Sequence, residues 1–405
     1  MSKFQQLNRY LAEAKPSATY KMIDRVAEKR ASGEKIISLS AGEPDFDTPE
    51  HVRQSAKDAI DAGFTRYTQV AGLRQLREAI AEKFQKENDL KNVTWQHTIV
   101  CSGGKQVLYN ALAATLNEGD EVIIPAPYWV SYPEMVQLSG ATPVIVPCSE
   151  KHGFKLTPTQ LDKAITPQTR WVILNSPSNP TGAVYSKDEL QALADILLKH
   201  PHVLILSDDI YEHLIFDGHK FNTIAQVEPR LIDRTLTMNG VSKAYAMTGW
   251  RIGFATGPQW LLDAMEKLQG QQTSGASSIS QYAAMAALSG SQDFVRNTNK
   301  VFEKRRDMMV QLLNDTPYLS CLKPEGAFYA FVNCAELIGR TSQSGIKLNT
   351  DEDVALALLD EANIAVVQGS AFGLAPYFRI AYALDDESLK AACTAIKDFC
   401  VNTTL

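Results

Sequence analysis

The sequence has no long apolar run, and this limits what the protein can be. No stretch of its 405 residues approaches the roughly 20 apolar residues that a membrane-spanning helix needs. Residues 1–6 show no apolar core followed by a cleavage site of the kind found in secretory signals. We therefore expect a protein that does not enter membranes, with the cytoplasm as its default location.

Paired cysteines and metal-binding patterns are also missing. The six cysteines are scattered, without Cys-x-x-Cys, and no group of cysteines and histidines has zinc-ligand spacing. We interpret the cysteines as reduced thiols and expect no metal. The seven histidines are equally dispersed. His213, close to Tyr211, either borders a site or is simply packed among its neighbours.

An excess of basic residues is lacking as well. The 40 lysines and arginines are outnumbered by 46 acidic residues, for a net charge of −6, which argues against nucleic acid as a partner. No repeat or low-complexity segment is present. With 45% hydrophobic and 21% charged residues, the chain has an ordinary globular composition and is long enough for two domains. These values are typical of a soluble metabolic enzyme.

One lysine has an unusual setting. Lys243 follows a predicted strand at 235–239, with Ser242 before it and Arg251 eight residues after it. Its other neighbours are small, apolar or aromatic, and burial among them disfavours the ammonium and lowers its pKa, as Schiff-base chemistry requires. Taken alone, the segment favours a buried or snorkelling lysine that has no chemical role.

Polar residues follow other predicted strands of the same region. The apolar run 203–208 ends at Asp208, and the run 171–175 leads into a Pro-, Asn- and Gly-rich loop that contains Asn179. Open α/β sheets bind ligands at the carboxyl ends of their strands. The strand predicted at 98–102 runs into Gly103, Gly104 and a predicted helix at 106–116, and glycines at a helix start leave amides free for a phosphate.

An amine, a carboxylate, an asparagine loop, a glycine-rich helix start and an arginine together meet the needs of pyridoxal 5'-phosphate. With these motifs in this order, the chain resembles the fold type I pyridoxal-phosphate aminotransferases, specifically the class I aspartate aminotransferase family. Within that family it is most similar to the bacterial enzymes that use aspartate, some of which also use prephenate. The resemblance covers nearly the whole length.

The resemblance implies a role for each of these residues. Lys243 would form the Schiff base and then move a proton, and Asp208 would pair with the pyridine nitrogen. Tyr211 and Asn179 would hydrogen-bond the phenolic oxygen, and Trp129 would stack on the cofactor. The phosphate would be held by the backbone amides of Gly103, Gly104 and Lys105, together with Ser242 and Arg251. In such enzymes Tyr67 reaches the phosphate of the neighbouring subunit, so we expect a homodimer with active sites shared across its interface.

Substrate recognition is expected at both ends of the chain. Arg379 lies in an apolar, strand-like run at 377–381, where an unpaired guanidinium is costly. The resemblance assigns to it the α-carboxylate, with Gly42, Trp129 and Asn179 nearby; pairing with an internal Asp or Glu is the alternative. Lys15 and Lys105 would receive the second carboxylate of a dicarboxylic substrate. From composition alone, however, Lys15 is a solvated lysine.

Strand and helix patterns alternate between about residues 49 and 289, which indicates an α/β fold. The resemblance implies a large domain at 49–290 with a mostly parallel seven-stranded sheet flanked by helices. It also implies a smaller α+β domain at 291–405, with residues 1–48 forming an N-terminal arm and part of that domain. The apolar runs at 121–125 and 141–146 are expected to be strands buried on both faces.

The function implied is a ping-pong transfer of an amino group from L-aspartate to 2-oxoglutarate, giving oxaloacetate and L-glutamate. Prephenate as an additional acceptor is left open. The alternatives are an aminotransferase for aromatic or other amino acids, a pyridoxal-phosphate lyase on the same fold, and a non-catalytic ligand-sensing module. A sensor of that kind is expected to carry a helix-turn-helix and an excess of basic residues, and neither is evident in the sequence.

Overall fold

The computed structural model describes residues 8–14 and 16–405. In chain order its helices are α1 (Arg9–Glu13), α2 (Ala18–Ala31), α3 (Glu50–Asp61), α4 (Arg74–Glu87), α5 (Gly104–Thr115), α6 (Ser131–Leu138), α7 (Pro158–Ala164), α8 (Lys187–Leu197), α9 (Ile224–Val227), α10 (Gln259–Gln272), α11 (Ser278–Ser289), α12 (Asp293–Asn314), α13 (Asp351–Ala362) and α14 (Asp386–Val401). Its strands are β1 (Ile37–Ser38), β2 (Thr98–Cys101), β3 (Glu121–Ala126), β4 (Thr142–Pro147), β5 (Thr169–Asn175), β6 (Leu204–Asp208), β7 (Thr235–Gly240), β8 (Gly253–Thr256), β9 (Ser320–Cys321), β10 (Tyr329–Asn333), β11 (Ile364–Ala365), β12 (Val367–Gln368) and β13 (Tyr377–Ala381).

The predicted strands that carry the candidate residues are present within two residues of their expected bounds. The helix after Gly103 begins at Gly104, two residues earlier than expected, since glycine at the first position does not prevent a helix that packs on a sheet. Among residues 8–14 and 16–405, no helix combines the length and the apolar composition that crossing a membrane requires.

Seven strands form the large sheet, in the order β2-β8-β7-β6-β5-β3-β4. Strand β8 runs antiparallel to both of its neighbours, and the other pairs are parallel. Helices cover both faces. Side chains of β3, β5 and β6 alternate between the two helical layers: Val122, Ile124, Trp171, Ile173, Leu204 and Leu206 pack on one side, and Ile123, Val172, Leu174 and Ile205 on the other. The predicted α/β class with a mostly parallel seven-stranded sheet is confirmed.

The expectation that both strands β3 and β4 are buried on both faces is wrong for β4. Strand β4 is the last strand of the large sheet and pairs only with β3. Most of its residues are exposed or half-buried, and Ile145 is among the exposed large hydrophobic side chains. Its apolar composition alone does not distinguish an edge strand from a central one, because the order of strands is decided by how the whole sheet packs.

A second, small sheet has the order β12-β13-β10-β9, and its neighbouring strands are antiparallel. Helices α12, α13 and α14 pack with it around a shared apolar core. Strand β1 pairs in parallel with β11, so the N-terminal segment is tied to the C-terminal part of the chain. This is the α+β arrangement expected there; the domain bounds 1–48, 49–290 and 291–405 stay a prediction.

Helix α12 is held to its surroundings by two buried arginines. The Arg306 guanidinium is fully buried; it donates to both carboxylate oxygens of Asp217, at 2.7 and 3.0 Å, and to the carbonyl oxygen of Pro324 at 2.9 Å. Arg305 forms a similar fork on Asp45, at 2.8 and 2.9 Å. These contacts join α12 to loops beside the cavity described below, so part of the stability of the fold depends on them.

Replacing Arg306 by methionine is expected to lower the free energy of unfolding by about 2 kcal/mol, because it removes the fork on Asp217 and the donor to the Pro324 carbonyl, while Lys323 still pairs with Asp217 at 3.1 Å. The Arg306 hydrogen bonds lower the pKa of Asp217, so this contribution is present above the ordinary pKa of an aspartate and is lost as the pH falls through the lowered value. Urea unfolding at neutral and acidic pH measures it.

The matched control is Arg296→Met on the same helix, since Arg296 pairs with Asp293 at the surface. That change is expected to alter the free energy of unfolding by less than about 0.5 kcal/mol. Equal effects of the two substitutions would show that the buried fork contributes no more to the free energy of unfolding than the surface pair does.

Candidate active site

The carboxyl ends of the large sheet's parallel strands open into a cavity of about 540 Å³. Asn175 ends β5 and Asp208 ends β6, and the two are direct neighbours in the strand register. Lys243 lies in the loop after β7. The cavity is lined by most of the residues predicted from the sequence: Gly42, Gly104, Lys105, Trp129, Asn179, Asp208, Tyr211, Ser242, Lys243, Arg251 and Arg379.

Lys243 lies at the floor of this cavity. Its ammonium donates to the carbonyl oxygen of Gly42 at 2.5 Å and lies 5.8 Å from the centre of the Tyr211 ring. Burial lowers the pKa of Lys243 to about 8. About one such amine in ten is then neutral at pH 7, far more than for an ordinary lysine. A neutral amine is the form that attacks an aldehyde.

Asp208 is buried opposite this lysine. Its Oδ2 accepts a hydrogen bond from the Tyr132 hydroxyl at 2.5 Å, and its Oδ1 accepts one from the Ile210 amide at 3.3 Å. Burial raises the pKa of Asp208 to about 6, so the group is still mostly ionised at neutral pH. A carboxylate in this position suits a cationic ring nitrogen.

Arg379 enters the cavity from the small sheet. It is 2% exposed; its Nη1 donates to Asn179 Oδ1 at 3.1 Å and its Nη2 to the Ser40 carbonyl oxygen at 2.6 Å, while its Nε has no partner. In the part of the chain that the structure describes, Arg379 has no ion pair with Asp or Glu. The alternative, in which Arg379 pairs with an Asp or Glu of its own chain, is therefore not observed among these residues.

An anion-binding cradle lies at the start of α5. The helix begins at Gly104, so its first amides have no partner within the helix. Gly103 has a φ of 87°, and a side chain there would collide with the Arg251 guanidinium, which approaches this turn closely. Ser242 and Arg251 line the same part of the cavity. Helix amides, a hydroxyl and an arginine are the donors that a phosphate requires.

One aromatic and one basic residue, Trp129 and Lys105, form part of the cavity wall. Trp129 packs edge-on against Tyr132, with ring centres 5.4 Å apart. The Lys105 ammonium lies 4.9 Å from the Trp129 ring and 3.2 Å from Ser131 Oγ. Burial lowers the pKa of Lys105. A basic group other than Arg379 is thus present in the lining of the same cavity.

Among the described residues, Tyr67 and Gly103 were predicted for the site but do not line this cavity. Tyr67 is 94% exposed and does not line the site of its own chain, which leaves it available to a second subunit. Lys15 lies outside the described residues. His213 also does not line the cavity; its Nε2 meets Glu87 Oε2 at 3.0 Å.

Glu87, Glu212 and His213 form a separate cluster in which one ligand atom from each lies within 4.8 Å of the others. The buried Lys83 ammonium contacts Glu212 and lies 3.5 Å from Glu87. One lysine therefore balances part of the negative charge of the two glutamates.

Several residues of the site were not predicted from the sequence. Tyr132 holds Asp208 through its hydroxyl; it follows Trp129 by three residues in the turn that leads into α6, and this spacing does not indicate the contact. Glu43 lines the cavity and accepts from Thr248 at 3.1 Å. Tyr329 places its hydroxyl 2.9 Å from that of Tyr211. Ser40 contributes its backbone carbonyl, and because every residue has one, the residue type does not reveal this role.

The donor set in this cavity fits pyridoxal phosphate. Its residues provide an amine for the aldehyde, a buried carboxylate for the ring nitrogen, hydroxyl and amide donors, and an anion cradle that a Cβ at position 103 would fill. Each chemical group of the cofactor finds a partner of complementary charge or hydrogen-bonding type.

Comparison with known proteins agrees with this site. The family described as aminotransferase class I and II matches residues 34–396. An aspartate/prephenate aminotransferase from Cereibacter sphaeroides is 57% identical over 390 residues, which cover 96% of this chain and 97% of that protein.

Two solved structures share the fold. The aspartate aminotransferase from Rhizobium meliloti has a TM-score of 0.96 at 50% identity, covering 98% of this chain and 100% of that one. The Thermus thermophilus aspartate aminotransferase with maleate has a TM-score of 0.90 at 40% identity and the same coverage. With the family match, the relatives and the site in agreement, this chain belongs to the class I and II aminotransferases, which use pyridoxal 5'-phosphate.

Proposed function

We propose that this enzyme is an aspartate aminotransferase, which moves the amino group of L-aspartate to 2-oxoglutarate in two half-reactions at one site and yields oxaloacetate and L-glutamate. The observation that carries the proposal is the buried Arg379 guanidinium, which has no carboxylate partner among the described residues and shares a cavity with Lys243. A free amino acid brings the missing carboxylate and an amino group together.

Arg379 suits the α-carboxylate of the substrate. The guanidinium is oriented by Asn179 and Ser40, and two neutral oxygens do not neutralise its charge. A carboxylate can accept two parallel hydrogen bonds from such a fork, and the low polarity of the surroundings strengthens the pair. Gly42 lies next to this group in the cavity, with no side chain to obstruct the carboxylate.

Lys105 is the candidate for the second carboxylate of a dicarboxylic substrate. It lines the same cavity as Arg379, and in the described part of the chain it forms no ion pair with an acidic residue. The solved Thermus relative was obtained with maleate, which is itself a dicarboxylate. Two cations in one cavity favour substrates with two negative ends, such as aspartate, glutamate and their keto acids. A contribution from Lys15 stays a prediction.

Pyridoxal phosphate, when bound, supplies the aldehyde for the amino group and a ring that delocalises the negative charge arising at the α-carbon. Lys243 would hold it covalently, and its amine, once released, would carry the proton between the α-carbon and the cofactor. Asp208 would keep the ring nitrogen protonated, and Tyr132 would hold that carboxylate in place. Tyr211 and Asn179 would face the phenolic oxygen, and Trp129 would stack on the ring. The phosphate would lie in the cradle formed by the backbone amides of Gly103, Gly104 and Lys105, with Ser242 and Arg251.

Prephenate is a second candidate acceptor. The Cereibacter sphaeroides relative carries both substrates in its name and is 57% identical to this chain. Prephenate is also a keto acid with a second carboxylate, so the same two cations suit its charge. Its ring is far larger than the side chain of aspartate, and the cavity of about 540 Å³ would have to hold it together with the cofactor.

The assembly we propose is a cytoplasmic homodimer, with the bounds 1–48, 49–290 and 291–405 for its parts. Tyr67 supports the dimer, since a tyrosine that is 94% exposed has no contact to make within its own chain. The six cysteines are free and buried, which is in keeping with a reducing compartment.

Mixing the cofactor-loaded enzyme with L-aspartate is expected to form oxaloacetate and to abolish the cofactor's visible absorbance band, and 2-oxoglutarate is expected to restore it. Prephenate in place of 2-oxoglutarate tests the second acceptor. Lys243→Ala should reduce turnover by about 10³-fold or more, because it removes both the covalent anchor and the proton carrier. A band that aspartate leaves unchanged while another amino donor removes it would contradict the proposal.

Arg379→Lys is expected to reduce kcat/KM for aspartate by about 10²-fold, since lysine keeps the charge but not the fork. Arg305→Lys is the control, because Arg305 is buried and bidentate on Asp45 but does not line the cavity. That variant should retain kcat/KM while losing stability. Steady-state kinetics and urea unfolding of both proteins separate the two effects, and equal losses of kcat/KM would argue against substrate binding at Arg379.

Hybrid dimers test the shared site. Lys243→Ala and Tyr67→Ala homodimers are each expected to have low activity, the second through cofactor affinity reduced about tenfold by the loss of a charge-assisted hydrogen bond. When the two variants are coexpressed with distinct tags, the purified hybrid dimer would contain one complete site. That site would combine Lys243 of one subunit with Tyr67 of the other. Activity recovered at limiting cofactor supports the exchange, whereas hybrids that show only the mean of the two homodimers would exclude it.

A further inference from the structure

Two tyrosine hydroxyls meet inside the cavity where the two sheets face each other. Tyr211 follows β6 of the large sheet, and Tyr329 is the first residue of β10 in the small sheet. Their hydroxyl oxygens are 2.9 Å apart, and the residues are 4% and 1% exposed. The contact joins a residue that faces the cofactor site to one that comes from the substrate-binding side.

The position of Tyr329 is tightly constrained. Its ring packs edge-on against Tyr211, with centres 5.6 Å apart, and the Arg379 guanidinium lies 4.7 Å from the centre of its ring. The hydroxyl also lies so close to Gly42 that a Cβ there would collide with it. In the described part of the chain, the Tyr329 hydroxyl has no hydrogen-bond partner other than Tyr211. It therefore has one place to direct its proton.

The direction of this hydrogen bond follows from counting protons. Burial raises the pKa of both Tyr211 and Tyr329, so each hydroxyl carries one proton at neutral pH. If Tyr211 uses its proton on the phenolic oxygen of the cofactor, as the proposed function requires, it has only its lone pairs to offer to Tyr329. The proton between the two tyrosines then belongs to Tyr329.

We propose that Tyr329 is a positioning residue that acts through Tyr211: its hydroxyl donates to Tyr211 Oη and thereby directs the Tyr211 proton to the cofactor's phenolic oxygen. The inference rests on the proposed function, in which Tyr211 faces that oxygen. Donation from Tyr329 polarises the Tyr211 hydroxyl and makes it a stronger donor, since hydrogen bonds in a chain reinforce one another. Tyr329 thus touches both the guanidinium assigned to the substrate and the hydroxyl assigned to the cofactor.

The test is a pH titration of the visible absorbance of the holoenzyme without amino substrate. In the Tyr329→Phe variant the ring and its contact with Arg379 remain, but the Tyr211 donor is weakened and the negative charge on the phenolic oxygen is less stabilised. The nitrogen that Lys243 would contribute to its covalent bond with the cofactor then keeps its proton to higher pH. We expect Tyr211→Phe to raise the titration midpoint by about 1 to 2 pH units and Tyr329→Phe by about 0.3, a fraction of that shift.

The double variant shows whether Tyr329 acts through Tyr211. In the Tyr211→Phe background, the Tyr329→Phe change should add no further shift. A midpoint for Tyr329→Phe equal to that of the wild type, or a full additive shift in the double variant, would overturn the proposal. Thermal unfolding of the same proteins measures any merely structural loss, which lowers stability without moving the midpoint.

Tyr382→Phe is the matched control, since Tyr382 is fully buried and donates to the Ala327 carbonyl at 3.1 Å, outside the cavity. Its midpoint should equal that of the wild type. The titration needs only bound cofactor, so it is readable even if aspartate proves not to be a substrate. A wild-type protein that fails to bind the cofactor would contradict the proposed function itself, and the wild-type spectrum shows this directly.

Discussion

A buried guanidinium without a carboxylate is the interaction on which the site depends. Arg379 is held by two neutral oxygens, those of Asn179 and Ser40, and lies over the Tyr329 ring, but no carboxylate pairs with it in the described part of the chain. Such a group is costly to bury, and a fold that keeps it must stabilise the surrounding structure by other contacts. The apolar core around the small sheet and the buried forks of Arg305 and Arg306 on α12 supply that support. The arginine is thus kept ready for an anion that the protein itself does not provide.

The large sheet contributes the groups that face the cofactor. Parallel strands end at one edge, so Asn175, Asp208 and the loop carrying Lys243 are neighbours although they are far apart in sequence. The same burial acts in opposite directions on the two ionisable groups: it lowers the pKa of Lys243 and raises that of Asp208, because the charged form is disfavoured in both. The lysine gains nucleophilicity at neutral pH, while the aspartate stays ionised enough to pair with a cationic ring.

The two sheets meet through side chains that no motif connects. Asn179 belongs to a loop of the large sheet and accepts from Arg379 of the small one, and Tyr211 and Tyr329 make a second link of the same kind. Both links join the groups assigned to the substrate with groups assigned to the cofactor. In the proposed function, hydrogen bonds between buried side chains would therefore couple the cofactor site to the substrate site.

The sequence by itself determined the α/β class, the strands that end in functional residues, and the residue types at the centre of the site, because strand periodicity, glycine at a turn and a lysine among apolar neighbours are local properties. The tertiary structure alone decided which strands lie at an edge, as β4 shows, and which side chains complete the site. Tyr132, Tyr329, Glu43 and the Ser40 carbonyl could not be assigned in advance. Their roles arise from packing between segments that are distant in the chain. A contact of that kind does not change the hydrophobic periodicity of either segment, so the sequence pattern does not reveal it.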